Sequence, residues 1–118
     1  RVAIGGFSDG ASYALSLGLA NPRLFRGIVA ISPRFFVAPS TFDPKQRVFI
    51  THGRRDEILP FSQGRRIADL LETTGVTLRF RPFDGPHRVN RGTFAEGMAF
   101  ATGQSTRDKD SPSRRGLE

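Results

Sequence analysis

Residues 2–13 constrain this chain more than any other stretch. Val2-Ala3-Ile4 is an apolar, strand-like run, Gly6-Phe7-Ser8-Asp9-Gly10 follows at once, and an alanine- and leucine-rich segment begins at Ala11. The pattern G-x-S-x-G alone is a weak signal. Placed between a buried strand and a buried helix, it specifies a strand–turn–helix so tight that the central serine stands clear of the sheet. Residues two before and two after that serine approach each other closely. The reading therefore requires very small residues at both positions, Gly6 and Gly10. The helix that follows points unpaired N–H groups at the turn, and the Asp9 N–H is the expected oxyanion donor.

The rest of the chain supplies a sheet for such a turn. A helix is expected over Gly10–Ala20, with Ala11, Ala14, Leu15, Leu17 and Leu19 leaving few polar positions, which suits burial on most sides. Asn21-Pro22 stops it. Gly27–Ile31 is continuously apolar, as in a parallel sheet covered on both faces. Ser32-Pro33 ends it, and Pro39 and Pro44 mark residues 34–46 as loop. Arg47–Thr51 is a third strand, and His52–Leu59 a loop at its end. Pro60–Thr73 has Ile67, Leu70 and Leu71 at helical spacing, and Gly75 suits its C-terminal end. Val76–Arg81 alternates as a half-buried strand near a sheet edge. Thr93–Thr102 is a last helix, with Phe94, Met98 and also Ala95 and Ala99 inward. Strands alternating with helices give the α/β class, a parallel sheet flanked by helices.

A serine hydroxyl needs a base within reach, and the base needs an orienting acid. A triad on such a turn takes its acid and then its base from later in the chain. The two histidines are His52 and His87. His87 lies in the loop after the last strand and Asp56 in the loop after the strand before it. Both loops leave the same sheet edge as Ser8, where function gathers in open α/β sheets. The expected triad is Ser8, Asp56 and His87. Glu57 and Asp84 are the alternative acids, and His52 is read as bracing its loop. Phe35, Phe36 and Phe42 cover the sheet or line an acyl pocket. Arg54 and Arg55 read as a solvated pair.

These stretches resemble the phospholipase/carboxylesterase group of α/β-hydrolases, which includes acyl-protein thioesterases. The matching segments are Gly6-Phe7-Ser8-Asp9-Gly10, Ser32-Pro33, His52-Gly53 with Asp56 and Pro60, and Gly85-Pro86-His87, spread over residues 1 to about 100. The resemblance implies the C-terminal portion of that fold, with Ser8 as nucleophile, Asp56 as acid and His87 as base. It implies cleavage of carboxylic esters, thioesters or lysophospholipids through an acyl-serine, with no metal or organic cofactor. A serine peptidase of the same fold, or a non-catalytic hydrolase fragment, is the alternative. The group's earlier strands and the loop giving a second oxyanion N–H have no counterpart in the chain. A partial domain over 1–102 is therefore expected, with further strands upstream of Arg1. Residues 1–118 alone are expected to be nearly inactive and to self-associate through a bare sheet edge.

Charge and composition narrow the remaining classes. The formal net charge is +7, carried almost wholly by arginine. The arginines are scattered and make no stripe, so nucleic acid is not an expected partner. A small-molecule ester is. The absence of cysteine excludes a disulfide scaffold, a cysteine nucleophile and thiolate metal sites. No run reaches the ~20 apolar residues of a membrane span, no signal peptide is visible, and the expected compartment is the cytoplasm. Residues 103–118 carry too little apolar surface to fold and are expected to form a disordered basic tail.

Overall fold

The computed structural model describes residues 2–104. Arg1 and most of the expected tail, residues 105–118, lie outside the described residues. The described elements run β1 (Val2–Phe7), α1 (Asp9–Ala20), β2 (Phe25–Ile31), β3 (Arg47–Gly53), α2 (Phe61–Glu72), β4 (Thr77–Phe83) and α3 (Arg91–Ala101). The four strands form one sheet in the order β1-β2-β3-β4, every pair parallel. β3 is longer than its apolar run suggests, because His52 and Gly53 continue the register opposite Pro82 and Phe83. β4 admits Pro82 because it lies at the sheet edge, where a missing N–H can face outward.

The period-two alternation of the central strands divides the core. Ile28, Ala30, Val48 and Ile50 face α1 and α2, with Ala11, Leu15, Leu19, Ile67 and Leu71 buried against them. Val29, Ile31 and Phe49 face α3, where they meet Phe100 and Ala101. β2 and β3 are thus covered on both sides, as their unbroken apolar runs require.

Two helices bury different faces from those expected. In α1 the inward face is Ala11, Ser12, Ala14, Leu15, Gly18 and Leu19, while Leu17 is 51% and Tyr13 74% exposed. In α3 the buried residues are Thr93, Gly97, Phe100 and Ala101, while Phe94 and Met98 point out. The cause is size: a Cβ on Gly97 would lie 2.6 Å from the Phe49 ring. α3 therefore approaches the sheet on its smallest residue rather than on its large apolar ones. In α2, Ile67 and Leu71 are buried but Leu70 is exposed. Gly75, just past its end, adopts φ 95°, as its placement there anticipates.

Residues 32–46 link β2 to β3 without a helix or strand. They are fastened instead by side chains. Ser12 Oγ accepts from the Arg34 and Phe35 N–H groups, and Ser16 Oγ from Val37 N–H. Buried Gln46 donates to the Gly18 and Phe25 carbonyls. Phe36 and Phe42 pack on the α1–α2 core, whereas Phe35 is exposed. The outer edge of β1 pairs with no strand among the described residues.

Candidate active site

Ser8 is the residue on which β1 turns into α1. Its backbone sits at φ 61°, ψ −120°, a region that costs a non-glycine residue on the order of 1–3 kcal/mol. It is the N-cap of α1, yet its hydroxyl makes no capping bond, the usual role of a serine there. Its N–H donates to the Ile31 carbonyl at 2.8 Å, tying the turn to β2.

The two flanking glycines differ. A Cβ on Gly6 would lie 2.2 Å from the Gly10 carbonyl oxygen, so no side chain fits. A Cβ on Gly10 meets no atom within 4 Å. The expectation that both must be very small therefore holds for Gly6 alone: its α-carbon faces the first turn of α1, whereas Gly10 faces outward. Asp9 occupies the first position of α1, where its N–H has no carbonyl of its own helix to bond. Its carboxylate is exposed, 3.8 Å from Arg34 Nε.

Asp56 and His87 come from the loops after β3 and β4. Gly53 is what lets those loops meet. A Cβ there would lie 2.3 Å from the Gly85 carbonyl oxygen and 2.5 Å from that of Pro86. Arg54 and Arg55 N–H groups donate to the Phe83 and Gly85 carbonyls at 2.9 and 3.0 Å, joining the two loops.

The side chains then form one chain of contacts. Asp56 Oδ1 accepts from the Ile58 and Leu59 N–H groups at 2.9 and 2.8 Å. Oδ2 lies 2.6 Å from His87 Nδ1, and His87 Nε2 lies 3.1 Å from Ser8 Oγ. A carboxylate only accepts, so Nδ1 carries the proton, and the bare Nε2 accepts from the Ser8 hydroxyl. Burial pushes the Asp56 carboxyl upward, but the Leu59 N–H, the His87 ring and the Ile58 N–H outweigh it and hold it below its usual range. The acid stays ionised beside the ring.

Phe7, the residue before Ser8, packs against the His87 ring, with centroids 4.7 Å apart and the planes tilted by 39°. An open cavity of about 440 Å³ lies beside the ring, lined by Arg55, Glu57, Ile58, Pro86 and His87. The alternative acids are elsewhere. Asp84 pairs with Arg55 at 3.1 Å in solvent, and Glu57 is exposed. Arg54 and Arg55 are both exposed, and the Arg54 guanidinium lies 5.4 Å from the Phe61 ring centroid. The contacts of Phe7 and Gly53 depend on long-range packing and carry no local sequence signal. Among the described residues no group of three or more His, Asp or Glu could hold a metal ion, and no helix is long and apolar enough to cross a membrane.

The geometry has relatives. The profile of the phospholipase/carboxylesterase family matches residues 1–100. An acyl-protein thioesterase 1 of Neurospora crassa is 29% identical over 93 residues, covering 72% of this chain and 38% of its own length. The chain thus spans less than half of the curated relatives it matches. A protein of unknown function from Agrobacterium tumefaciens, Atu2452, superposes with a TM-score of 0.71 at 28% identity, over 85% of this chain and 50% of the other. The Bacillus cereus carboxylesterase shares the fold at a TM-score of 0.71 and 20% identity, over 85% of this chain and 48% of that one.

Proposed function

The chain belongs to the phospholipase/carboxylesterase family, and on that premise we propose that it carries the nucleophile, acid and base of a serine hydrolase that cleaves carboxylic esters or thioesters. Ser8 attacks the acyl carbon while His87 Nε2 takes its proton. The imidazolium returns that proton to the leaving alcohol or thiol as the bond to it breaks. Water, deprotonated by the same nitrogen, then releases the acid and restores Ser8. Asp56 holds the ring in the Nδ1–H tautomer and stabilises its charged form. The Asp9 N–H faces the oxyanion.

The observation that carries this reading is the Ser8 hydroxyl. At an N-cap it forgoes the capping bond and meets His87 Nε2 at 3.1 Å instead. The names of the relatives, an acyl-protein thioesterase and a carboxylesterase, support the ester and thioester classes.

The test is covalent labelling of the protein as its gene encodes it. A fluorophosphonate probe should modify Ser8, and Ser8→Ala should abolish modification with an unchanged circular dichroism spectrum. Labelling that survives Ser8→Ala would overturn the assignment. Parallel panels of p-nitrophenyl esters, acyl thioesters and peptide anilides then fix the substrate class. Anilides turned over faster than esters would replace the esterase reading with a peptidase.

A further inference from the structure

Beneath Asp56 lies a second histidine that this chemistry does not use. His52 is wholly buried near the end of β3. Its Nε2 is 2.8 Å from the Leu59 carbonyl oxygen and 3.4 Å from Asp56 Oδ2. Both of those oxygens only accept, so Nε2 carries a hydrogen aimed between them. Nδ1 is buried with no hydrogen-bond partner among the described residues. An orphaned ring nitrogen has a desolvation cost that a leucine of similar size would avoid.

The surroundings are shaped to the ring. In α2 a Cβ on Gly64 would lie 2.3 Å from His52 Nδ1, so only glycine leaves room. The Phe61 ring meets the imidazole edge-on, centroids 6.0 Å apart at 86°.

We propose that His52 is a positioning residue for the Asp56 carboxylate. The proposal rests on the reading of Ser8, Asp56 and His87 given above. His52 acts by two routes that converge on Asp56. Its Nε2–H fixes Leu59 through the carbonyl, and the Leu59 N–H holds Asp56 Oδ1 at 2.8 Å. With Oδ1 pinned, Oδ2 has one direction left, toward His87 Nδ1. The same Nε2–H dipole also faces Oδ2 from behind. A residue that merely filled volume would need no donor at this point.

The experiment separates the donor from the volume. His52→Gln keeps an amide nitrogen near the Nε2 position; His52→Leu keeps the bulk alone. Ser8 labelling rate, kcat and KM are measured for both, with melting temperature alongside. His52→Gln is expected to stay within about 3-fold of wild type. His52→Leu is expected to lose on the order of 10–100-fold in kcat and labelling rate with KM unchanged, the size that outer partners of metal-ligating residues show on removal. Equal losses in the two variants, no loss in either, or a change confined to KM would each overturn the proposal. Labelling that persists in Ser8→Ala is a separate result and strikes the triad reading instead. If His52→Leu does not fold, nitrogen NMR of the histidine rings decides. His52 should be protonated at Nε2, with a resonance that moves in Asp56→Asn. A ring protonated at Nδ1 alone, or a resonance unmoved by that substitution, overturns it.

Discussion

On the β3–β4 side of the cleft the Asp56 side chain is wholly buried, and both of its oxygens have hydrogen-bond partners. On the β1 side Gly10 is exposed, Ser8 is tied to the sheet by one N–H, and the outer edge of β1 has no strand beside it among the described residues. Asp56 and His87 are held by loops that bond to each other and to the strands beneath. Ser8 is held by a strained turn, and β2 is the one strand paired with β1 among the described residues. Substitutions on the first side should therefore read out in chemistry, and substitutions of the glycines that flank Ser8 on the second in folding.

The largest effect expected from this contrast is at Asp56. Asp56→Asn keeps an oxygen for the Ile58 and Leu59 N–H groups, so the loop should persist. The amide that replaces Oδ2 no longer favours the Nδ1–H tautomer of His87. Turnover of a p-nitrophenyl ester should fall about 10⁴-fold, the scale of such a loss in other serine triads. Glu57→Gln, one residue along but exposed, should remain near wild type. A larger loss in Glu57→Gln would show that the acid has been misassigned and that the enclosed side is not the chemical one.

The glycines of the turn give the next effect. Gly6→Ala forces a methyl group against the Gly10 carbonyl, 2.2 Å away, and backbone atoms must move. A destabilisation of about 3 kcal/mol or more is expected, the upper range for overpacking. Gly10→Ala enters open space in the first turn of α1 and should be neutral or stabilise by about 0.5–1 kcal/mol. Urea unfolding of the two variants measures the difference. Equal destabilisation would mean that the open side of the turn is occupied in the folded protein.

What could be read from the sequence follows from how local each constraint is. The turn at Ser8 is specified within five residues, by glycine spacing and flanking apolar runs. The meeting of Ser8, Asp56 and His87 needed only chain order and a shared sheet edge. The inward face of α3 was illegible because Phe94 and Met98 repeat at helical spacing as convincingly as Gly97 and Phe100. The deciding fact is the clearance between Gly97 and Phe49, which belongs to tertiary packing. The fit of Gly64 to His52 and of Phe7 to His87 is of the same kind. The apolar run of the third strand ends at Thr51, so the sequence reads His52 as the first loop residue; the structure puts it in β3, buried, where its one donor has acceptors to serve.

The smallest expected effect concerns acid, and it compares two carboxylates at different depths. Asp56 titrates below its usual range because the Leu59 N–H, His87 and the Ile58 N–H outweigh the upward push of burial. Asp43, at the surface, is lowered by the Lys45 N–H and by Arg26, 3.1 Å away. A carboxylate that is more acidic in the folded state stabilises the fold above its unfolded pKa, about 3.9. That contribution disappears as pH falls from there through the lower folded value. Urea midpoints of the wild type should therefore drop below about pH 4, and Asp56→Asn and Asp43→Asn should each flatten part of that drop. Salt distinguishes the two. The Arg26–Asp43 pair is solvent-facing and should be screened when ionic strength is raised to about 1 M, where the Debye length is near 3 Å. The bonds to Asp56 lie inside the protein and should persist. An acid limb that is parallel in wild type and Asp56→Asn, at either salt concentration, would mean that the Asp56 carboxylate gains nothing from its partners on folding. The enclosed side of the cleft would then be no better satisfied than the open one.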